Sequence, residues 1–443
     1  MKEAFLVRMK EYLKEEYPAF LETLEKEMYR GVRYNPLKIS KEQFIELFPF
    51  ALQPTCFCED AFYVDNSALG LGNHPLHASG AMYLQEPSAS GAVTVLDVKA
   101  DDWVLDLCAA PGGKSSQIAA KLQHSGLLVA NEIDAKRAQI LLSNMERLGF
   151  GEVIITNNGV EQICQQCAGW FDKILVDAPC SGEGMMKKHD EALLDWSLAN
   201  IQSCAERQFH ILDKAFDALK ENGTLVYSTC TYAMEENEAV VSRILAHRSD
   251  IVQIDCEVSF GRSGLSCQGM DHHKVRRIFP MDQGEGHFIA RFQKLSSNGT
   301  KKQKNKKTIS LSKQQHQALA DIIQIPKGYF DVYHDQLYYR KEMFVDMGKL
   351  RVLRQGVLCG TWLKNRFEPH HHLFMSALLK ENLKQVCELN DEQWMKYQAG
   401  EELMLSGYQG YVALAWHSLI VGFGKGDGKV IKNKYPKGLR VRH

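Results

Sequence analysis

Two cysteines stand where thiol chemistry could be done. One follows proline in Asp177-Ala178-Pro179-Cys180-Ser181-Gly182-Glu183-Gly184, and the other follows threonine in Ser228-Thr229-Cys230-Thr231-Tyr232. Each comes just after an apolar run, Ile174-Leu175-Val176 and Leu225-Val226-Tyr227, that reads as a buried strand. A thiolate that adds to carbon 6 of a pyrimidine makes carbon 5 enolate-like, able to attack an electrophilic methyl group. The carbon 5 proton must then leave and the thiolate be expelled, with an acid near the ring nitrogen. A nucleophilic cysteine needs local positive charge or a helix N-terminus to lower its pKa. Cys230 meets that need, because a helical pattern starts at Glu235. Buried structural thiols are the common fate of cysteine. Two of them at strand ends, beside an Asp-x-Pro-Cys turn and a glycine loop, argue for chemistry.

The glycine loop lies in Val104-Leu105-Asp106-Leu107-Cys108-Ala109-Ala110-Pro111-Gly112-Gly113-Lys114-Ser115. An apolar run breaks into a Pro-Gly-Gly turn and continues as a helical pattern. Strand, turn and helix form the first unit of a doubly wound sheet, where backbone N–H groups and a helix N-terminus meet a ligand. Glu132 closes the next apolar run, Leu127-Leu128-Val129-Ala130, near the position at which such folds place a carboxylate on a ribose hydroxyl. The loop lacks the Gly-x-Gly-x-x-Gly of dinucleotide sites and the second glycine before lysine of a phosphate-binding loop. Pro111 stiffens the turn, and Ala109 and Ala110 admit a compact ligand close to the backbone. S-adenosylmethionine suits such a site, having a ribose diol, an adenine and a charged amino-acid end with no phosphates. On the loop alone a generic Rossmann-like domain stays open. Ligand crevices of open α/β sheets lie at the carboxyl ends of the strands. The two cysteines, Asp177 and the Pro-Gly-Gly turn are therefore expected to converge.

The elements that must position them alternate. Strands fit 103–108, 126–131, 152–156, 172–177, 223–229 and 287–293, and helices fit 114–123, 135–149, 191–194, 198–221 and 235–247. This rhythm predicts a mostly parallel sheet covered on both faces. The last strand follows an irregular insertion, 255–286, and suits an antiparallel hairpin at one sheet edge. Residues 1–98 read as one or two helices, a basic strand and a small α+β region. Residues 296–309, rich in Ser, Asn, Gly and Lys, form the clearest boundary. The expected division is 1–98, 99–295 for the central block, a linker at 296–309, a connecting domain at 310–388 and a last domain at 389–443.

A chain of 443 residues with 45% hydrophobic content can build several cores. No apolar run is long enough to span a membrane, and the charged N-terminus reads as an amphipathic helix, not a signal peptide. With 53 basic against 54 acidic residues, net charge −1, a nucleic-acid surface must be a local patch. Lys301 to Lys307 and the tail from Lys425 to Arg442 qualify, the first reading as a solvated linker. Twelve cysteines without an export signal fit a reducing cytoplasm. Cys164-x-x-Cys167 and Cys56-x-Cys58 have no partner pair, so no metal site is expected. His272-His273 and His370-His371-His372 lie among polar residues and are expected at the surface.

These residues together resemble the Sun/nucleolar-protein family of RNA cytosine-5 methyltransferases, and within it the bacterial branch acting on 16S rRNA. The resemblance rests on Cys108 to Lys114, Asn131-Glu132, Asp177 to Gly184 and Ser228 to Thr231. Arg33-x-Asn35, Tyr83-Leu84-Gln85-Glu86-Pro87-Ser88 and Asn433 to Arg440 extend it over nearly the whole chain. It implies a Rossmann-like class I methyltransferase domain, a small N-terminal α+β RNA-binding region and a C-terminal PUA-like α+β domain. It implies Cys230 as the nucleophile, Cys180 as the aid to release of the covalent intermediate, and Asp177 near the base and the methyl donor. S-adenosylmethionine would be held by Cys108, Ala109, Ala110, Pro111, Gly112, Gly113, Lys114 and Glu132, with Asp134 and Arg137 supporting the ribose side. The family often has Asp at the end of the third strand; here Asn158 stands there and would accept from the adenine amino group.

The implied partner is RNA, 16S rRNA or the 30S subunit, with no membrane and no metal, and the protein is expected to be a cytoplasmic monomer. A tRNA target is a second reading. A catalytically silent ribosome-assembly protein would have lost Cys230 or the glycine turn, and both are intact. A DNA-type scheme would use Cys180 as nucleophile and leave Cys230 idle.

Overall fold

In the computed structural model, residues 2–187, 194, 196–296, 299–364 and 366–441 are described. The expected helix at 191–194 lies outside the described residues except for Leu194. Apolar β-branched runs form a nine-stranded sheet. Its five parallel strands are Trp103–Asp106, Leu127–Asn131, Val153–Thr156, Phe171–Asp177 and Leu219–Thr229. They stand in the order Leu219–Thr229, Phe171–Asp177, Trp103–Asp106, Leu127–Asn131, Val153–Thr156. Both faces carry a dry core: Ile174, Val176, Phe216 and Tyr227 on one side, Val104, Leu128, Leu141 and Ile289 on the other. The chain order reverses between Trp103–Asp106 and Phe171–Asp177, which opens a crevice at their carboxyl ends.

The two sheet edges differ from the sequence reading. His287–Lys294 lies one strand in, antiparallel to Leu219–Thr229, and Ile251–Ile254 forms the edge beyond it. At the other end Val352–Gln355, from the C-terminal half, adds antiparallel to Val153–Thr156. An edge strand leaves N–H and C=O groups unpaired, and a strand far along the chain fills them. Helix Val160–Gln166 was also missed, because seven residues are too few to show a helical period.

The N-terminal region holds the helices Glu3–Leu13 and Tyr17–Leu24 and a four-stranded antiparallel sheet, ordered Leu52–Pro54, Ala61–Val64, Arg30–Tyr34, Met82–Leu84. The helices bury Phe5, Met9 and Phe20 against Tyr232, Ala233 and Phe279, just past Cys230. The N-terminal sheet and the helix Lys41–Leu47 bury Val32, Phe62 and Phe44 in one cluster with Trp394, Tyr397 and Leu414 of the last domain. That last domain is a sheet ordered Val386–Glu388, Gln409–Trp416, Leu419–Asp427, Ile431–Asn433. Val386–Glu388 pairs parallel with Gln409–Trp416, so the domain begins before the expected boundary at 389. The described residues of the linker are exposed yet fastened: the Lys301 N–H donates to the Ala168 carbonyl, and the Trp170 indole N–H to the Lys301 carbonyl, at 2.9 and 2.7 Å.

His372 departs from its expected surface position. It is buried, and its Nδ1 accepts from the Leu358 N–H at 3.3 Å. Arg277, on the irregular insertion 255–286, is buried in a bidentate pair with Glu238 (2.7 and 2.5 Å).

Candidate active site

Gly112 turns the chain out of the first parallel strand with φ of 112°, a conformation that costs a glycine little. Gly113 then opens the helix Gly113–Lys121. The first N–H groups of a helix have no partner within it, so this turn presents donors to the crevice. The loop is held from every side. The Ala109 N–H donates to the Asn131 carbonyl at 2.8 Å, and Arg137 Nη2 donates to the Ala110 carbonyl at 2.8 Å. From the N-terminal sheet, buried Arg33 donates through Nη2 to the Gly113 carbonyl at 2.9 Å and to Ser116 Oγ at 2.5 Å. Sequence reasoning noted Arg33 and gave it no role; its signal was a charged residue inside a strand that buries on both flanks.

Glu132 sits at the carboxyl end of the second parallel strand. Its Oε1 accepts from the Asp134 N–H at 2.9 Å, while Oε2 is buried without a hydrogen bond, Arg137 Nη1 lying 3.4 Å away. A buried carboxylate oxygen with no donor is costly unless a ligand supplies one. A ribose hydroxyl is such a donor. The donor set fits S-adenosylmethionine. Asp134 caps the following helix by accepting from the Arg137 N–H at 2.8 Å.

Asn158 is placed differently from the expected adenine contact. Its amide donates to the Arg351 carbonyl at 3.1 Å, and its Oδ1 accepts from the Arg351 N–H at 2.9 Å. Arg351, just before the strand added at this edge, takes up the side chain.

The fourth and fifth parallel strands bring the remaining groups to the crevice. Asp177 accepts from Lys114 Nζ and Ser228 Oγ, each at 2.7 Å, and its side chain stays about a third exposed. Burial acts to lower the Lys114 pKa, yet Asp177 outweighs it and the net shift is upward, so Lys114 is a fixed cation in the crevice. Cys180 Sγ and Cys230 Sγ lie 3.2 Å apart. The hydrogen bond to Cys230, and then burial, raise the Cys180 pKa well above its ordinary value. Burial raises Cys108 in the same direction.

Two carboxylates bind the cysteine loops to each other. Glu183, on the Cys180 loop, accepts from Thr231 Oγ1 and the Tyr232 N–H, both at 3.0 Å, and from the Trp196 indole at 2.7 Å. Glu236, on the Cys230 loop, accepts from Ser181 Oγ, from the Ser181 N–H at 3.0 Å and from Gln208 Nε2 at 2.8 Å. The Gly184 N–H donates to the Cys230 carbonyl at 3.0 Å. Each loop thus carries the acid that holds the other. Glu183 and Glu236 were missed as positioning groups because their contacts join residues about fifty positions apart.

A helix at Glu238–His247 follows Cys230, three residues later than expected, because residues 234–237 form a turn. Among the described residues no cluster of three or more His, Cys, Asp or Glu could hold a metal ion. No described helix is long and apolar enough to cross a membrane.

A mixed sheet with five parallel central strands, a glycine turn and a buried carboxylate at the next strand end is the architecture of an α/β methyltransferase that uses S-adenosylmethionine. Comparison with known proteins narrows this. Residues 93–293 match the model of 16S rRNA methyltransferase RsmB/F, and 1–87 match the N-terminal domain of 16S rRNA methyltransferase RsmF. Residues 316–377 match the first C-terminal domain of RsmF rRNA methyltransferase, and 384–441 its PUA domain. Ribosomal RNA small subunit methyltransferase F of Vibrio cholerae is 32% identical, over 95% of this chain and 93% of the relative. That of a Shewanella species is 32% identical, over 95% and 92%. The chain belongs to the 16S rRNA methyltransferase RsmB/F family. Among solved structures, a methyltransferase homolog from Pyrococcus horikoshii superposes with a TM-score of 0.60 at 29% identity, covering 67% of this chain and 96% of that one. NSun6 from the same organism, crystallised with SFG, shares the fold with a TM-score of 0.59 at 22% identity over 67% and 99%.

Proposed function

We propose that the protein methylates carbon 5 of a cytosine in 16S rRNA through a covalent Cys230–cytosine intermediate resolved with help from Cys180. The observation that carries this is the thiol pair: two sulfurs 3.2 Å apart at the strand ends, on the side of the sheet where the Pro-Gly-Gly turn lies. Cys230 would form a bond from sulfur to carbon 6, and carbon 5 would gain the electron density to accept a methyl group. S-adenosylmethionine, when bound, supplies that methyl. Asp177, fixed by Lys114 and Ser228, would contact the cytosine near its ring nitrogen. Cys180, hydrogen-bonded to Cys230, would give its S–H proton to the departing Cys230 sulfur as the carbon–sulfur bond breaks, and the Cys180 thiolate so formed would take up the carbon 5 proton, leaving both residues as thiols.

The names of the relatives and the basic last domain support ribosomal RNA as the substrate. Lys425, Lys429, Lys432 and Lys437 are exposed there, and lysines on phosphates position RNA while the site handles a flipped base. The working form would be a cytoplasmic monomer acting on the 30S subunit or its RNA.

The test uses Cys180→Ala and Cys230→Ala, each incubated with S-adenosylmethionine and 30S subunits, naked 16S rRNA or bulk tRNA, then run on a denaturing protein gel. Cys180→Ala should give an RNA-shifted band and Cys230→Ala none. A shift with Cys230→Ala alone would reverse the roles. A shift only in the tRNA lane would move the substrate. No shift, with a wild type that transfers no methyl group, would sink the enzymatic reading.

A further inference from the structure

Where the N-terminal sheet meets the methyltransferase domain, Tyr29, Arg30, Gln53, Tyr63, Asn66 and Gln283 line a cleft of about 450 Å³. A second space of about 450 Å³ continues it past Tyr29 and Arg30 to Leu84, Gln85 and Glu86. Tyr29 is more than a third exposed, and its ring centroid lies 5.7 Å from that of Tyr63. The Tyr63 hydroxyl is fixed by donating to the Gln283 carbonyl at 2.8 Å. Among the described residues, the side-chain amides of Gln53, Asn66 and Gln283 hold no hydrogen bond to protein. Aromatic rings beside free amides are what an unstacked base needs: a π face and groups for its Watson–Crick edge. Arg30 is offset by Glu27 and Asp65 in the same cleft, so the space does not concentrate positive charge and suits a base better than a phosphate.

Glu285 links the cleft to the cysteine loops. The Tyr29 N–H donates to Glu285 Oε1 at 2.6 Å. The Glu285 carbonyl lies against Gly184, where an added Cβ would come within 2.7 Å of it, and Gly184 donates to the Cys230 carbonyl. A cytosine turned out toward Cys230 leaves neighbours in the strand that need a seat close to the site.

We propose that the cleft is a second base-binding subsite, taking the nucleobase next to the target cytosine in single-stranded RNA, stacked on Tyr29. The proposal rests on the RNA-methyltransferase reading above. It is tested with full-length Tyr29→Ala and Tyr29→Phe in methyl transfer to 30S subunits and naked 16S rRNA, with S-adenosylmethionine affinity and melting temperature measured alongside. Tyr29→Ala should lower kcat/KM about tenfold or more, as loss of one base stack does, with cofactor affinity and melting temperature unchanged, and Tyr29→Phe should restore the rate. Wild-type kcat/KM in Tyr29→Ala, or a loss that tracks cofactor affinity or melting temperature, overturns the subsite. Should wild type methylate neither RNA, the functional reading fails by itself, and gel-shift affinity of Tyr29→Ala against wild type for 16S rRNA decides the cleft: equal affinity overturns it, a tenfold loss supports it.

Discussion

Asp106 is fully buried at the end of the first parallel strand. Its Oδ2 accepts from Ser115 Oγ at 2.6 Å, while its Oδ1 has no hydrogen bond. Burial raises its pKa to about 7, against the opposing pull of Ser115. The sign follows from proton counting: the folded state holds this proton to higher pH than the unfolded chain, so its contribution is fully present below about pH 4 and is lost as pH rises through 7. Asp106→Asn keeps an acceptor for Ser115 and cannot ionise. The variant's melting temperature should rise relative to wild type as pH goes from 5 to 8, and parallel curves would refute the assignment. Arg277 is a second residue whose cost can be foreseen. Removing one partner of a buried pair leaves the other charge uncompensated, which costs about 3–5 kcal/mol. Arg277→Ala should therefore lower denaturant stability by about that amount, and a loss below about 1 kcal/mol would show that Glu238 finds another partner.

At the scale of elements, the two cysteine loops are positioned by the crossed contacts of Glu183 and Glu236. Hydrogen bonds to a charged acceptor are about twice as strong as neutral ones, so an amide keeps the shape and weakens the hold. Glu236→Gln should lower kcat about tenfold with KM nearly unchanged, and should reduce the adduct trapped in the Cys180→Ala background. A merely structural role would lower the melting temperature and leave kcat as it was. The strands carrying Cys180 and Cys230 were legible in the sequence to within a few residues, because each is a short apolar run ended by turn residues. The edges were not legible. Val352–Gln355 and Ile251–Ile254 are four residues long and carry no period of their own; the unpaired edge they meet selects them.

Across the whole molecule, the domains share surfaces that the linker alone does not suggest. Arg340, from the C-terminal half, donates to Glu152 Oε2 at 3.0 Å through Nε and also through Nη2, with both side chains buried. Asn158 holds Arg351, and Lys38 of the N-terminal region donates to the Met375 carbonyl. Burial lowers the Lys38 pKa to about 7. Arg340→Ala should loosen the C-terminal half while the methyltransferase sheet stays folded. Limited proteolysis should then cut faster within 296–309, and an unchanged cleavage rate would place the docking energy in the apolar contacts instead.

The sequence by itself determined the parallel core, the glycine turn, Glu132 at its strand end and the two cysteines with Asp177 at theirs. These follow from local patterns: apolar runs of strand length, turn residues and the rule that ligand crevices lie at strand carboxyl ends. Only the tertiary structure decided that the sulfurs lie 3.2 Å apart, that Arg33 grips the Pro-Gly-Gly turn and that Asn158 faces Arg351. It also decided that the last domain completes the N-terminal core. Each of these joins residues from about 50 to several hundred positions apart. Burial and hydrogen-bond demand choose such partners, and neither is written in the spacing along the chain.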